Sequence, residues 1–262
     1  MKLLFLLLIS VLLAVFAAHA FAGKREDGMK QVDRALVEVK STCLYTVKSV
    51  GEEGSVVLYS EIATKLGMGF FTDYAINAPG EDSYTLFSSA HIFVCDREYF
   101  SQILLENQFT EGAIQLENKL EKVEIKYGAV WYEAVVSKFD SEKEFACLSM
   151  ALPSGIKPYS LPLLPQNNGL YAVDTEVRAR GKMSFKENGL MRLVKGPIEH
   201  FQDNFFRFAA PGYHGMSGSP VVLWRKDKYY VIGIVARKFQ KDDETINTTL
   251  VTDLDFLNKL PK

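Results

Sequence analysis

Ser217 stands in Gly212-Tyr213-His214-Gly215-Met216-Ser217-Gly218-Ser219-Pro220, and the apolar run Val221-Val222-Leu223-Trp224 follows at once. Small residues around a serine let the backbone turn tightly and leave the hydroxyl open to a substrate carbonyl. They also aim neighbouring N–H groups into one spot. Here those groups are the N–H of Gly215 and of Ser217, placed to hold an oxyanion. The chemistry implied is acyl transfer through a serine nucleophile, which needs a base. The chain has four histidines, His19, His91, His200 and His214, and none follows Ser217. A Gly-x-Ser-x-Gly elbow of an α/β-hydrolase needs its histidine after the serine, and its last glycine would here be Ser219, so that rival is set aside. His19 lies in the expected signal peptide, residues 1–22, and would leave with it. His91 closes the apolar stretch Thr85-Leu86-Phe87-Ser88-Ser89-Ala90, where a strand end holds the ring and still lets it reach the surface. An imidazole suits a base that must accept a proton and then return it. His91 is therefore the candidate base, and His200 (Pro-Ile-Glu-His-Phe) reads as structural.

Four segments carry a resemblance to trypsin-like serine peptidases. Ser89-Ala90-His91 is similar to their histidine box. Gly215-Met216-Ser217-Gly218-Ser219-Pro220 resembles their serine box in its Gly-Ser-Pro variant. Gly67-Met68-Gly69-Phe70-Phe71 resembles the strand before the histidine box, and Gly233-Ile234-Val235 the strand along the substrate cleft. The likeness spans roughly Ser41 to Asp255, in the order His, acid, Ser of the chymotrypsin type, in a bacterial secreted, Deg-like or viral branch. It implies an all-β fold of two packed six-stranded Greek-key antiparallel β-barrels with a few short helices. It also implies an acid between the two boxes. Aligning Ala146 and Leu148 with the family's strand puts Glu144 at the acid position and Asp140 at an earlier one. In an extended strand Glu144 shares a face with Ala146, Leu148 and Met150. The plain alternative for Asp140-Ser141-Glu142-Lys143-Glu144 is a solvated charge run.

Other positions depart from the pattern. Met216 replaces the Asp that pairs with a new N-terminus in trypsin-like zymogens, so activation by that ion pair is not expected. Pro211 stands where trypsin has its specificity Asp, so cleavage after Lys or Arg is not implied. By alignment His214, Val235, Ala236, Arg237 and, farther along, Lys238 come near the primary pocket, where the basic groups would favour an acidic side chain. No PDZ-type module is expected after Asp255. Asn247-Thr248-Thr249 is a glycosylation sequon for a eukaryotic secretory pathway.

The elements that must position these residues are short and β-rich. Runs such as Cys43–Val47, Ser55–Tyr59, Gly69–Ile76, Ser83–Ser88 and Ala129–Val136 alternate with turns, one of them Asn77-Ala78-Pro79-Gly80-Glu81-Asp82. Cys95–Leu105 and Gly112–Leu120 read as helical. Pro153–Leu170, with four prolines and an Asn-Asn-Gly turn, marks a crossover. Beyond it come Leu170–Arg180, Leu190–Val194, Phe205–Ala209, Pro220–Trp224 and Tyr229–Lys238, the last two joined by an Arg225-Lys226-Asp227-Lys228 turn. The expected division is 1–22 a signal peptide, 23–40 a polar leader (a short amphipathic helix or a surface segment), 41–152 the half with His and acid, and 153–262 the half with Ser.

Leu3 to Ala18 is an unbroken apolar run after a basic start, and Ala18-His19-Ala20 and Ala20-Phe21-Ala22 fit a signal-peptidase site. The run is short for a bilayer span, which needs about 20 residues. A secreted or periplasmic protein is expected, with no stable membrane insertion once the signal is cleaved. Net charge is −2, so no basic excess argues for nucleic acid. Of Cys43, Cys95 and Cys147, an oxidising compartment allows one pair and leaves one thiol. The pairing is open, as is the reading that all three are small buried apolar residues. No paired-Cys or His-x-x-x-His spacing points to a metal, and no cofactor is expected. The expected function is a serine endopeptidase acting on protein or peptide. The alternatives are a catalytically impaired relative serving as a binding module, and an esterase using the same site.

Overall fold

The computed structural model describes residues 22–51, 54–74, 83–96, 103, 106, 114–164, 169–182, 189–241 and 244–259, and side chains at 51, 237–247 and 258–259 are outside the description. A helix, α1, covers 22–35. The N-terminal half follows: β1 (Leu36–Gly51), β2 (Gly54–Phe71), β3 (Ser83–Ser88), β4 (Ile114–Tyr127), β5 (Val130–Glu133), β6 (Val135–Asp140) and β7 (Phe145–Ala151). The second half has β8 (Glu176–Lys182), β9 (Met191–Gln202), β10 (Phe205–Phe208), β11 (Pro220–Arg225), β12 (Lys228–Lys241) and β13 (Glu244–Asp253), then a 3-10 turn at Leu254–Lys259.

The strands form where apolar residues recur every second position. In β1, Val37, Val39, Ser41, Cys43, Tyr45 and Val47 are buried while the alternate residues between them are half exposed. In β8, Val177, Ala179 and Gly181 point inward while Glu176, Arg178, Arg180 and Lys182 lie outward. Among the described residues every pairing between two of these strands is antiparallel, and two isolated parallel bridges, Thr72 to Leu161 and Leu163 to Val231, join the crossover to them. The second half closes into a six-stranded barrel in the order β10-β13-β12-β11-β8-β9. The first half is a seven-stranded sheet, β5-β4-β1-β2-β3-β7-β6. Its two edge strands are consecutive in the chain, separated only by Ala134, whose N–H donates to Val123 O at 2.9 Å. The sheet therefore curls until its edges meet, and β5 with β6 acts as one bent strand. Two packed all-β halves is the architecture expected, with that kink replacing a single sixth strand.

Three of the core clusters among the described residues bear on the site. One fills the curled sheet, around Phe71, Leu86, Val123, Ile125 and Leu148. One fills the barrel, around Val177, Ile198, Phe206, Phe208 and Val221. The third lies between the halves and holds Phe70, Phe87, Phe145 and Cys147 against Val222, Val231 and Ile234. This accounts for β7, where six successive residues are buried: Phe145 and Cys147 face the other half, Ala146 and Leu148 face their own.

The stretch 23–40 is not one polar segment. Met29, Val32 and Ala35 recur at helical spacing and pack into the layer between the halves, and strand pairing starts at Leu36. Gly28 is pressed against aromatic rings: a Cβ there would lie 2.6 Å from Trp224 and 3.0 Å from Tyr229. Gly112–Leu120, expected as helix, runs into β4, whose residues pair with β1 from Ile114 onward. Most of β4 is exposed on both faces, so no period-two pattern marks it, and its Gln, Glu and Lys have helical propensity that pairing overrides. The expected turn at 77–82 and most of the expected helix at 95–105 lie outside the described residues. The crossover after Met150 stitches the halves together: Leu161 N–H bonds to Phe71 O and Leu164 N–H to Val231 O, both at 2.9 Å. The β11–β12 turn has positive φ at Lys226 (47°) and Asp227 (60°), the two-residue hairpin geometry that matches strand twist.

Candidate active site

β3 ends at Ser88, and the chain bends into a 3-10 turn over Ala90–Ile92 with Ser89 before it. Ser88 and Ser89 are fully buried, whereas the His91 side chain keeps 32% of its surface. Three ties fix this bend to the long β1–β2 hairpin. Ser41 Oγ donates to Ile92 O. Lys65 Nζ donates to Val94 O at 2.6 Å. Cys43 and Cys95 form a disulfide, which resolves the open pairing and leaves Cys147 as a buried thiol. Burial pushes the Cys147 thiol upward, against the weaker pull of Ser137.

Glu144 ends the turn that joins β6 to β7. It does not continue the strand: its φ is 51°, left-handed backbone that a glutamate rarely adopts. The expectation of an extended residue in line with Ala146 and Leu148 is corrected here. The turn itself brings Glu144 to the histidine. Its own carbonyl accepts Ala90 N–H at 3.2 Å. Its carboxylate, 8% exposed, accepts at Oε2 from the His91 backbone N–H at 3.2 Å and lies 3.1 Å from His91 Nδ1. Strain held by surrounding contacts beside a titratable pair is a mark of a functional position.

Asp140 is engaged elsewhere. Its Oδ1 accepts Lys143 N–H at 3.0 Å and its Oδ2 lies 2.5 Å from Lys143 Nζ. Burial opposes ionisation of Asp140, but the Lys143 hydrogen bonds and charge outweigh it and hold the carboxyl below its ordinary range. Of the two acids read from the sequence, Glu144 is the one on His91, and Asp140 caps the turn that presents it. Thr252 Oγ1 of β13 donates to Lys143 O at 2.8 Å, tying that turn to the barrel.

The Ser217 loop leaves β10 and enters β11. Met216 is fully buried in the barrel core and anchors it. Gly218 donates to Val235 O at 2.8 Å, Val235 N–H donates to Ser219 O at 2.9 Å, and Ser219 N–H donates to Met216 O at 2.9 Å. Gly218 has φ 87°, and a Cβ there would sit 1.8 Å from Met68 O, so only glycine fits. Met216 N–H is likewise used, by Tyr213 O at 3.1 Å. Among the described residues, the N–H groups of Gly215 and Ser217 take no hydrogen bond, while those of Met216, Gly218 and Ser219 do.

The loop meets the histidine segment across β2. Ser217 O accepts Met68 N–H at 2.7 Å, and Ser88 Oγ donates to Met68 O at 2.7 Å. Gly67 lies between them: a Cβ there would touch Ile92 Cδ1 at 2.1 Å and Ser217 O at 3.1 Å. Ser217 and His91 thus flank one seam between the halves. No hydrogen bond joins Ser217 Oγ to His91 among the described residues.

The expected cleft residues fall unevenly. His214 is exposed at the loop's turn. Val235 and Ala236 are buried, and Val235 spends both backbone groups on the loop. Ala236 is the extra residue of a bulge between β12 and β13. The side chains of Arg237 and Lys238 are outside the description. His200 is exposed on β9. One partner in the site has no role of its own in the sequence reading: Ser89, whose Oγ lies 2.8 Å from His91 Nδ1 and 3.4 Å from Glu144 Oε2. Its only signal was a hydroxyl two positions before the histidine.

No family model and no curated protein matches this chain. Among solved structures it is similar to the Rv3671c protease from M. tuberculosis in its active form, with 15% identity over 86% of this chain and 78% of that one, at a TM-score of 0.48.

Proposed function

We propose that this protein is a serine endopeptidase in which Ser217 is the nucleophile, His91 the general base and Glu144 the acid that orients it. The observation that carries the proposal is the buried Glu144 carboxylate on His91 Nδ1, across the seam from a serine whose own N–H and that of Gly215 make no hydrogen bond among the described residues. With Nδ1 protonated toward Glu144, Nε2 is left as a lone-pair acceptor for the Ser217 proton. Ser217 Oγ attacks the peptide carbonyl as His91 takes its proton, and Glu144 stabilises the imidazolium. The oxyanion lies against the N–H groups of Gly215 and Ser217. His91 then gives the proton to the leaving amine, and water releases the acyl group from Ser217 by the same steps in reverse order.

The Cys43–Cys95 disulfide supports export, since such bonds persist in oxidising compartments. Together with the apolar run at Leu3–Ala18 it favours a secreted or periplasmic enzyme acting on protein or peptide. A second reading, a catalytically impaired relative serving as a binding module, is favoured by the missing Ser217–His91 hydrogen bond. Apo sites commonly tighten that bond only with substrate present, so the enzyme reading is preferred.

The test is labelling with a fluorophosphonate probe, beside His91→Ala and Ser217→Ala. The enzyme reading expects labelling of the wild-type protein that both variants lose. A folded wild-type protein that stays unlabelled would support the binding-module reading. Peptide and ester substrates offered in parallel separate a peptidase from an esterase.

A further inference from the structure

We propose that Ser89 is a fourth member of this site, a positioning residue that selects the reactive tautomer of His91 by relaying the Glu144 charge. The proposal rests on the enzyme reading above and adds to it. Ser89 is fully buried, so its hydroxyl has no water to turn to. Its two polar neighbours are the groups already facing each other: His91 Nδ1 at 2.8 Å and Glu144 Oε2 at 3.4 Å. The His91 Nδ1 to Glu144 distance, 3.1 Å, is longer than the Nδ1 to Ser89 distance. Three polar groups thus form a closed triangle, with two protons to place.

Counting donors leaves two arrangements. An ionised Glu144 only accepts. In the first, Nδ1–H is shared between Ser89 Oγ and Glu144 Oε2, and the Ser89 O–H points to Oε2. Nε2 is then bare and faces the seam as a base. In the second, the Ser89 O–H points to Nδ1, which must be unprotonated. The ring proton then sits on Nε2, and Ser217 has no acceptor. The same hydroxyl therefore helps or blocks catalysis according to where it points. The Glu144 carboxylate decides, because a charged acceptor draws the O–H more strongly than a neutral ring nitrogen does. Glu144 also holds the His91 backbone N–H at 3.2 Å, so ring and main chain are fixed by one oxygen.

This makes the roles of Ser89 and Glu144 coupled rather than additive. Removing Ser89 alone loses one acceptor for Nδ1–H and loosens the ring. Neutralising Glu144 alone frees the Ser89 hydroxyl to donate to Nδ1 and favours the wrong tautomer. Removing both takes that competing donor away.

The experiment combines kinetics with a readout independent of activity. Ser89→Ala, Glu144→Gln and the double variant are made in the full chain, and folding is checked by thermal denaturation. Fluorophosphonate labelling rates, kcat and KM on a peptide substrate, and imidazole 15N NMR spectra are recorded, the His91 signals being assigned by their loss in His91→Ala. The wild type is expected to show the Nδ1–H tautomer. Ser89→Ala is expected to lower kcat about tenfold, a fraction of the roughly 10²–10⁴-fold that a whole general-base effect contributes, with KM unchanged and more Nε2–H tautomer. The double variant is expected to be no slower than Glu144→Gln. Restoration of the rate by Ser89→Thr, which keeps the hydroxyl, would add support. The proposal is overturned if the wild type shows the Nε2–H tautomer, or if Ser89→Ala leaves spectrum and kcat unchanged. It is equally overturned if the two losses multiply in the double variant. An unlabelled wild type would sink the enzyme reading, while the tautomer spectra would still decide the role of Ser89.

Discussion

Replacing Glu144 by Gln removes one charge and keeps nearly the same shape. Three contacts converge on Oε2, from His91 Nδ1, the His91 backbone N–H and Ser89 Oγ, at 3.1, 3.2 and 3.4 Å. The imidazolium formed during acylation gains the Coulomb attraction of the carboxylate. At 3.1 Å and an effective dielectric of about 20 that attraction is about 5 kcal/mol. The His91 side chain keeps 32% of its surface, so solvent screening reduces the figure to roughly 3–4 kcal/mol. At about 1.36 kcal/mol per tenfold in rate, kcat/KM should fall by about 10²–10³. The assay is kcat/KM on a peptide substrate together with the fluorophosphonate labelling rate, with thermal denaturation as a folding control. Asp140→Asn is the matched comparison. Its carboxylate is held by Lys143 and does not reach His91, so its rate should stay within about threefold of wild type. A loss under tenfold for Glu144→Gln in a folded protein, or an equal loss for Asp140→Asn, would refute the reasoning.

Four further outcomes are expected. Gly218→Ala should abolish labelling and lower thermal stability sharply, since a Cβ meets Met68 O at 1.8 Å on a left-handed backbone; an unchanged melting temperature would contradict the close approach of the two halves. Gly28→Val should cost about 1–3 kcal/mol by overpacking Trp224 and Tyr229, read as a lower melting temperature and faster proteolysis within 22–35; a neutral result would mean α1 is not docked as described. Replacing Cys43 and Cys95 by Ala should cost up to about 4 kcal/mol in chemical denaturation, the loop-entropy value for a 52-residue separation, whereas buried Cys147 should stay unreactive to thiol reagents until the protein unfolds. The folded Asp140 carboxyl ionises below its ordinary range, so its stabilisation is fully present above the unfolded carboxylate range and is lost as pH falls through the lower folded value. The stability gap between wild type and Asp140→Asn should therefore hold at neutral pH and close only in strong acid, as followed by denaturation at stepped pH.

Much of the candidate site is legible in the chain because its parts are local. The residues around Ser217 must be small to make the loop, and a histidine closing an apolar strand stands out among four. The strands that bury one face are legible for the same reason: β1 and β8 alternate, and their partners need not be known to see it. The first part of β4 is not legible, because up to Lys122 it is mostly exposed on both faces and is a strand only through its pairing with β1. α1 is only half legible. Its apolar spacing is helical, but Gly28 and Ala35 look unremarkable until Trp224 and the layer between the halves come up against them.

By itself the sequence determines the candidate reactive groups, the all-β texture and the order in which the candidate histidine, acid and serine occur, since each depends on residue type and short-range period. Tertiary structure alone decides which acid reaches His91. Glu144 and Asp140 are four positions apart, and the choice turns on a left-handed residue that swings one carboxylate under the ring while Lys143 holds the other. It also decides that Cys43 pairs with Cys95 and that Ser89 faces two partners at once. The disulfide and the Ser89–Glu144 contact join segments more than 50 positions apart within the first half, and their geometry depends on how the strands of that half pair and where its turns fall, which no local pattern encodes.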